Sequence, residues 1–436
     1  MALMLMGVTT SCFKMEEPNI FDESAAERLE HAITEYSDIL TDKGGVWALE
    51  YFANTEEQGY VYTMKFSKNG SVEMSAKNEW VGYVKTGENT NVFGSETSMW
   101  EVIADNGPVL TFNTYNTIFH IFANPEDIPT TEGDEQGYGH EGDYEFDLMR
   151  YSNDTLYLEG KKYGVPMKMY RLSAETTGEE YFAKIDNVIA AMNVTKFPDL
   201  VLTGADGNRY IVNDIATLVP SIYPEGGDWV TQTVSTSTIV TADGFRFATP
   251  LQLVNKDGGS TLTVQSFKLQ EDGSLLCTDD NKSVITCDNL NTVFSDELLK
   301  WRTSSTSFGG KFKPIYDAVV AGCKAAPLKR TFRYFQFEYS GALKTYVLNF
   351  LDQTTNGNFY TNVEKVGTDQ VKISYKGELD NNAQVHVNNV SAFTDMLNAI
   401  GATTFKVVSM KGALNPTTIR LQSADNAEDY IELNVY

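Results

Sequence analysis

Short runs of alternating apolar and polar residues, each closed by a glycine- or asparagine-bearing turn, recur along most of this chain and leave it little choice but antiparallel sheet. Tyr60-Val-Tyr-Thr-Met-Lys-Phe66 alternates, Lys68-Asn69-Gly70 supplies a turn, and Ser71-Val-Glu-Met-Ser75 returns beside it. The aromatic-rich run 46–52 precedes this hairpin, and strand patterns continue at 98–103, 109–113, 118–122, 144–149, 155–158 and 167–172. They resume from 200 to 287, then at 330–339, 345–351, 358–365, 370–375, 403–408, 417–421 and 430–436. Strands this short, with turns this regular, predict sheets that curl or close.

Helical periodicity interrupts the strands at a few places. Ala25, Ala26, Leu29, Ala32, Ile33, Tyr36, Ile39 and Leu40 recur at helical spacing, with Ser24 and Glu27 set as a capping box and Gly44-Gly45 as the stop. A second stripe of Tyr181, Phe182, Ile185, Val188, Ile189 and Met192 marks a helix over 177–192. Segments 290–301, 313–324 and 390–400 also read as helical. The predicted class is therefore mainly β with a few helices (α+β), built of antiparallel meanders, barrel-like or sandwich, each preceded by a helix. The 436 residues suffice for several domains. The boundaries expected are 1–23 as leader and tether, 24–172 and 173–288 as helix-plus-β units, and 289–436 as a C-terminal α+β unit. A helix followed by Trp47-Ala-Leu-Glu-Tyr-Phe52 echoes a helix followed by Phe332-Arg-Tyr-Phe-Gln-Phe337, which is either a duplication or the common pattern of meanders.

Asp and Glu number 59 against 34 Lys and Arg, a net charge of −25. Such a surface repels phosphate backbones, so nucleic acid is not an expected partner, and it repels anionic lipid. Membrane attachment would then need an anchor. No apolar stretch is long enough to span a bilayer. Residues 2–8 are apolar, Thr9-Thr10-Ser11 are small and polar, and Cys12 follows, which is the layout of a lipoprotein signal whose cysteine becomes lipidated. The basic segment that opens such a signal is missing, which implies a natural start upstream of Met1. With Cys12 assigned to lipid, Cys277, Cys287 and Cys323 remain, an odd number for a disulfide framework. If the turn between Cys277 and Cys287 centres on Lys282, the two thiols face each other; if it centres on Asp280-Asn281, they stay free and buried.

Motifs of catalysis are mostly absent: the chain has no H-E-x-x-H, G-x-S-x-G or G-x-x-x-x-G-K-[ST]. Gly137-Tyr-Gly-His-Glu-Gly142 matches G-x-G-x-x-G but lies between an acidic loop and a strand pattern, so no helix N-terminus receives a diphosphate there. Asp134, Glu135, His140, Glu141 and Asp143 of the same loop could hold Ca²⁺ or another divalent cation, or could simply be solvated. No other cofactor is expected. Aromatics make up 12% of the chain. Tyr115, His120 and Tyr144, which border the loop, and Lys161, Lys162 and Tyr163 after the next strand form a candidate surface for stacking on a glycan or peptide, or else pack in the core. Trp80 is either an exposed loop aromatic or a hydrophobic plug.

Several short motifs, taken in order, resemble a Bacteroidetes lipoprotein family catalogued as domain of unknown function 4302. They are Ile20-Phe-Asp-Glu-Ser24-Ala-Ala-Glu-Arg-Leu29, Trp47-Ala-Leu-Glu-Tyr-Phe52, Gly59-Tyr60 with Met64-Lys-Phe66, Leu110-Thr-Phe-Asn-Thr-Tyr-Asn116 with His120, Gly142-Asp-Tyr-Glu-Phe146 and Leu158-Glu-Gly-Lys-Lys-Tyr-Gly164. The acidic residues Glu16 and Glu17 after Cys12 likewise resemble the surface-export signal of such lipoproteins. The resemblance implies an outer-membrane, surface-exposed location and a setting beside nutrient-uptake components, and it carries no catalytic residues. Three functions follow as expectations: a non-enzymatic lipoprotein that captures a glycan or peptide for uptake, a metal- or carboxylate-dependent hydrolase, and a structural or adhesive module. The first predicts a concave, aromatic-lined cleft near the loop 124–143. Oligomeric state is not legible from the sequence.

Overall fold

The computed structural model describes residues 23–124, 139–193, 200–287, 290, 294, 300–342, 344–367 and 369–436. Its architecture is mainly β with a few helices, as the alternating patterns predict. Helix α1 (Ala25–Thr41) begins at Ser24, whose side chain accepts from Glu27 N while the Glu27 carboxylate takes the Ser24 N–H. It stops where Gly44 and Gly45 take φ of 91° and 65°.

The first sheet contains β1 (Val46–Tyr51), β2 (Tyr60–Phe66), β3 (Ser71–Asn78), β4 (Val92–Met99), β5 (Glu101–Ala104), β6 (Pro108–Thr111), β7 (Glu145–Ser152), β8 (Thr155–Gly160) and β9 (Pro166–Arg171). Their order is β4-β3-β2-β1-β9-β8-β7-β6-β5. The two edge strands are consecutive in the chain, parted by Trp100 alone, so the ladder bends round until its ends are two halves of one extended segment. Trp100 stands at that bend, with Nε1 donating to the Ser71 carbonyl (3.1 Å) and its ring set edge-on to Phe66 at 5.1 Å.

The second sheet repeats this order. Its strands are β10 (Leu200–Thr203), β11 (Arg209–Asn213), β12 (Ser221–Pro224), β13 (Val234–Ser235), β14 (Thr238–Val240), β15 (Gly244–Val254), β16 (Thr261–Leu269), β17 (Leu275–Cys277) and β18 (Val284–Cys287). They run β13-β12-β11-β10-β18-β17-β16-β15-β14, with the edge strands again consecutive. The third unit is a closed barrel of β19 (Lys300–Arg302), β20 (Tyr334–Ser340), β21 (Thr345–Leu351), β22 (Asn356–Val366), β23 (Gln370–Leu379), β24 (Thr404–Lys411), β25 (Thr418–Ser423) and β26 (Tyr430–Val435), sealed by Trp301 opposite Val435. Two curled, open up-and-down sheets and one closed barrel, each termed a ring, thus follow one another. The kinship in strand order joins the first two, whereas the sequence echo pairs the first with the third.

Several segments depart from the sequence reading. Residues 118–122, a strand by pattern, instead enter a short 3-10 turn, His120–Ala123. Ile118, Phe119, Ile121 and Phe122 are all about fully buried, so the apolar run reflects burial on every side rather than a sheet face. Residues 79–86 form helix α2 (Glu79–Thr86), capped by the Asn78 side chain and closed by Gly87 at φ 77°. Trp301 lies in β19, not in a helix. Helix α6 (Asn381–Asn389) precedes α7 (Ala392–Gly401), where a single helix over 390–400 is the sequence expectation. Helices α3 (Gly178–Met192) and α5 (Phe312–Lys324) form as expected, and a single helical turn, α4 (Trp229–Gln232), lies between them.

The first ring is filled, not hollow. Tyr51 reaches Phe119 at 5.4 Å, Phe122 at 5.6 Å, Tyr62 at 5.8 Å and Phe146 at 6.4 Å between ring centres. Neighbouring rings join through backbone: Gly59 N donates to Thr238 O (2.8 Å), and Cys287 N to Ala413 O (2.7 Å). Among the described residues no helix is long and apolar enough to cross a membrane.

Candidate functional site

The site grows out of the β6–β7 pairing. Thr111 lies opposite Glu145, and one residue further on Phe112 N donates to Tyr144 O at 3.3 Å. The chain after Phe112 turns back on itself, since His120 N and Phe119 N both donate to Asn116 O. Tyr115, His120 and Tyr144 are thereby drawn together from either side of the loop. The His120 ring lies 5.3 Å from Tyr115 and 5.1 Å from Tyr144, tilted by 33° and 38°. His120 is 7% exposed, while Tyr115 and Tyr144 are 51% and 42% exposed.

His120 is held as a neutral ring. Its Nδ1 accepts the Asn116 N–H (3.0 Å) and its Nε2–H donates to the Phe112 carbonyl (2.9 Å). Burial depresses its pKa below the usual histidine value, against the opposing pull of the Phe112 carbonyl and of the Asn116 carbonyl, which lies 3.2 Å from Nδ1. With both nitrogens engaged, His120 is a spacer between aromatic faces, not a base or a ligand. A cavity of about 330 Å³ opens here, lined by Phe112, Asn113, Tyr115, His120, Asn124 and Tyr144 together with Ala123. Flat aromatic faces beside amide side chains suit stacking and hydrogen bonding to a polar, ring-shaped ligand.

Asp143 braces the site from behind. Its Oδ1 accepts from Lys162 N and its Oδ2 from Tyr163 N, each at 3.0 Å. Burial raises its carboxyl above the usual range in spite of the Tyr163 and Lys162 N–H groups. Lys161 pairs with Asp105 and Glu145, and the Lys162 ammonium sits on its neighbour, 2.6 Å from Tyr163 Oη. Lys161, Lys162 and Tyr163 thus occupy the β8–β9 turn and do not line the cavity.

Trp80 lies on the first turn of α2, half-buried, with Nε1 donating to Tyr60 Oη at 2.9 Å. It faces His140 at 4.7 Å and Phe122 at 6.3 Å, in a cluster separate from Tyr115. His140 Nδ1 is bound to Glu57, a partner that sequence reading missed, and its Nε2 is buried without a partner. Glu141 is exposed at φ 54°. Asp134, Glu135 and Cys12 lie outside the described residues. Among the described residues no three metal-ligating side chains converge.

The turn between β17 and β18 centres on Asp280, with Leu276 opposite Val284 and Cys277 N bonded to Ser283 O, so Cys277 and Cys287 do not meet. Cys277, Cys287 and Cys323 are free, buried thiols.

The family model described as Domain of unknown function (DUF4302) matches residues 17–269. The chain belongs to this family. The DUF4302 match spans the first ring and most of the second, including Tyr115, His120 and Tyr144. No curated protein matches the chain. Among solved structures, it is similar to the β subunit of DNA polymerase from Streptococcus pyogenes, with 12% identity over 93% of this chain and 98% of that one, and a TM-score of 0.11. The DNA polymerase III β chain of Streptococcus pneumoniae gives 10% identity over 89% and 90%, and that of Borrelia burgdorferi 10% over 94% and 96%, both with TM-scores of 0.11. Scores this low carry no argument about fold or activity.

Proposed function

We propose that this DUF4302 chain is a non-enzymatic ligand-capture protein of a Bacteroidetes cell, anchored by lipid at Cys12 on the outer face of the outer membrane, where it holds a glycan for a nutrient-uptake system. One observation carries the reading: two half-exposed tyrosines lean on a buried, neutral histidine at the mouth of a cavity. Keeping two half-exposed aromatic faces in water forgoes roughly half of the about 1.5–3 kcal/mol that fully burying a large apolar side chain is worth. A sugar ring that covers them recovers part of that. The cavity also borders Asn124 and Tyr144, the two ends of the loop beside which an aromatic cleft was expected. The leader layout around Cys12 supports the anchor.

A glycan array probed with the full chain tests the reading. Binding to one glycan class, weakened by Tyr115→Ala, is the expected result. Binding to peptides alone, or glycan binding untouched by Tyr115→Ala, overturns it. A hydrolase reading has a single observation in its favour, the Glu57-oriented His140 with its unpartnered Nε2. Release of product from the bound glycan, abolished by His140→Asn, would favour it instead.

A further inference from the structure

A second cavity, of about 500 Å³, lies where the first two rings meet α3. Glu50 of β1 and Arg246 of β15 form its floor, Tyr170 and Tyr181 stand in its walls, and Lys184 and Lys268 line it from more exposed positions. None of these residues belongs to the Tyr115 site.

The floor is chemically incomplete. Arg246 is 4% exposed; its Nε lies 2.5 Å from Glu50 Oε2 and its Nη1 3.3 Å from the Phe247 carbonyl, but Nη2 has no acceptor. A guanidinium carries five N–H donors, and native structures seldom leave buried ones unpaired without a reason. Packing alone does not call for the ion pair, since apolar side chains of the same volume would hold the two rings together at least as well. Lys168, opposite Glu50 in the β1–β9 register, shares the field. Burial and the Arg246 charge hold its ammonium below the usual lysine range. Arg246 pairs with Glu50 and Lys268 with Asp243 at 3.6 Å, so Lys184 gives the lining its positive excess, in a chain of net charge −25.

We propose that this cleft binds an acidic monosaccharide of the uronic acid class, its carboxylate taken by Arg246 Nη2 with Lys184 and Lys268, and its hydroxyls by the tyrosine, serine and threonine side chains of the walls. The volume suits a ligand of one or two sugar rings. Nη2 is shielded from solvent as the cleft stands, so the carboxylate reaches it through a side-chain shift at the floor. With Nε given to Glu50 and Nη1 to the Phe247 carbonyl, Nη2 is the donor that offers the carboxylate a charge-assisted hydrogen bond.

Titration calorimetry of the full chain with glucuronate, glucose and acetate tests this. Glucuronate binding at least about tenfold tighter than glucose or acetate is expected, since a charge-assisted hydrogen bond is worth roughly that factor. The exposed pair Lys184→Gln/Lys268→Gln, which leaves the fold intact by circular dichroism, weakens glucuronate by about tenfold or more. Arg246→Lys, which keeps the charge but removes Nη2, weakens it further. Tyr115→Ala leaves glucuronate binding unchanged, which separates this site from the one proposed above. No binding of glucuronate, equal binding of glucose or acetate, or a Lys184→Gln/Lys268→Gln variant with unaltered affinity overturns the proposal.

Discussion

His386 Nε2 lies 2.8 Å from Asp352 Oδ2 in the third ring, and neither side chain is more than 2% exposed. His386 Nδ1 is 2.8 Å from the Asn382 carbonyl, while Asp352 Oδ1 accepts from Thr354 N and Thr355 N at 3.0 and 2.7 Å. The pair pins α6 to the β21–β22 turn beneath Phe350, whose ring centre is 4.6 Å from the imidazole. Removing His386 takes one hydrogen bond from a buried carboxylate that keeps the Thr354 and Thr355 N–H groups and Arg330 at 3.5 Å, at a cost of about 1.5–3 kcal/mol. His386→Ala therefore lowers the guanidinium unfolding free energy by about that amount, and a loss of a few tenths would show the pair to be incidental.

The same aspartate gives the third ring an acid limit. Burial alone would raise the Asp352 carboxyl, but the Thr354 and Thr355 N–H groups, the bond to His386 and the Arg330 charge outweigh it and hold the group below the usual carboxylate range. A depressed folded-state pKa contributes stability that is present above the unfolded value, about 3.9, and is lost as pH falls through the lower folded value. Unfolding followed by tryptophan fluorescence from pH 6 downward should show stability falling below about pH 4, with a shallower fall in Asp352→Asn.

Gly160 touches the brace behind the tyrosine site. A Cβ there would lie 2.3 Å from Asp143 Oδ2. Gly160→Ala pushes that carboxylate off the Lys162 and Tyr163 N–H groups and should destabilise the chain by about 1–3 kcal/mol. Gly107→Ala, with nothing within 4 Å of its added carbon, is the control and should change stability by less than about 0.5 kcal/mol. Thermal unfolding of both variants distinguishes the brace from a generic glycine effect.

The thiols should be inert. Burial pushes Cys277 and Cys323 each up to about 11, so neither is appreciably ionised near neutrality. Mass spectrometry after iodoacetamide should find Cys277, Cys287 and Cys323 unmodified in the folded protein and alkylated in denaturant. Rapid labelling of any of them in the fold, or a Cys277–Cys287 crosslink, would contradict the register of β17 and β18.

Local patterns were readable and non-local ones were not. Ser24 with Glu27, the alternation from Tyr60 to Phe66 and the stripe from Tyr181 to Met192 are written within a few residues, and each forms the element its spacing predicts. The pairing of β1 with β9 joins residues more than a hundred apart, and nothing in either run announces the other. Helix α2 escaped notice because Trp80, Val81, Tyr83 and Val84 favour strands, although Asn78 and Gly87 are ordinary cap residues. Tyr115 and His120 are neighbours in sequence, but Tyr144 joins them only through the β6–β7 register. Glu50 and Arg246 carried a signal that went unused: each is a lone charge inside an apolar run, and two such charges of opposite sign are candidates to meet.

The central claim, glycan capture on the Tyr115–His120–Tyr144 surface, is tested most directly by calorimetric titration of the array-selected glycan into the full chain and into Tyr115→Ala/Tyr144→Ala. Stacking on one aromatic side chain is worth on the order of 1 kcal/mol, so losing both should weaken binding by about tenfold or more while the melting temperature barely moves. Unchanged affinity in the doubly substituted chain would contradict the account.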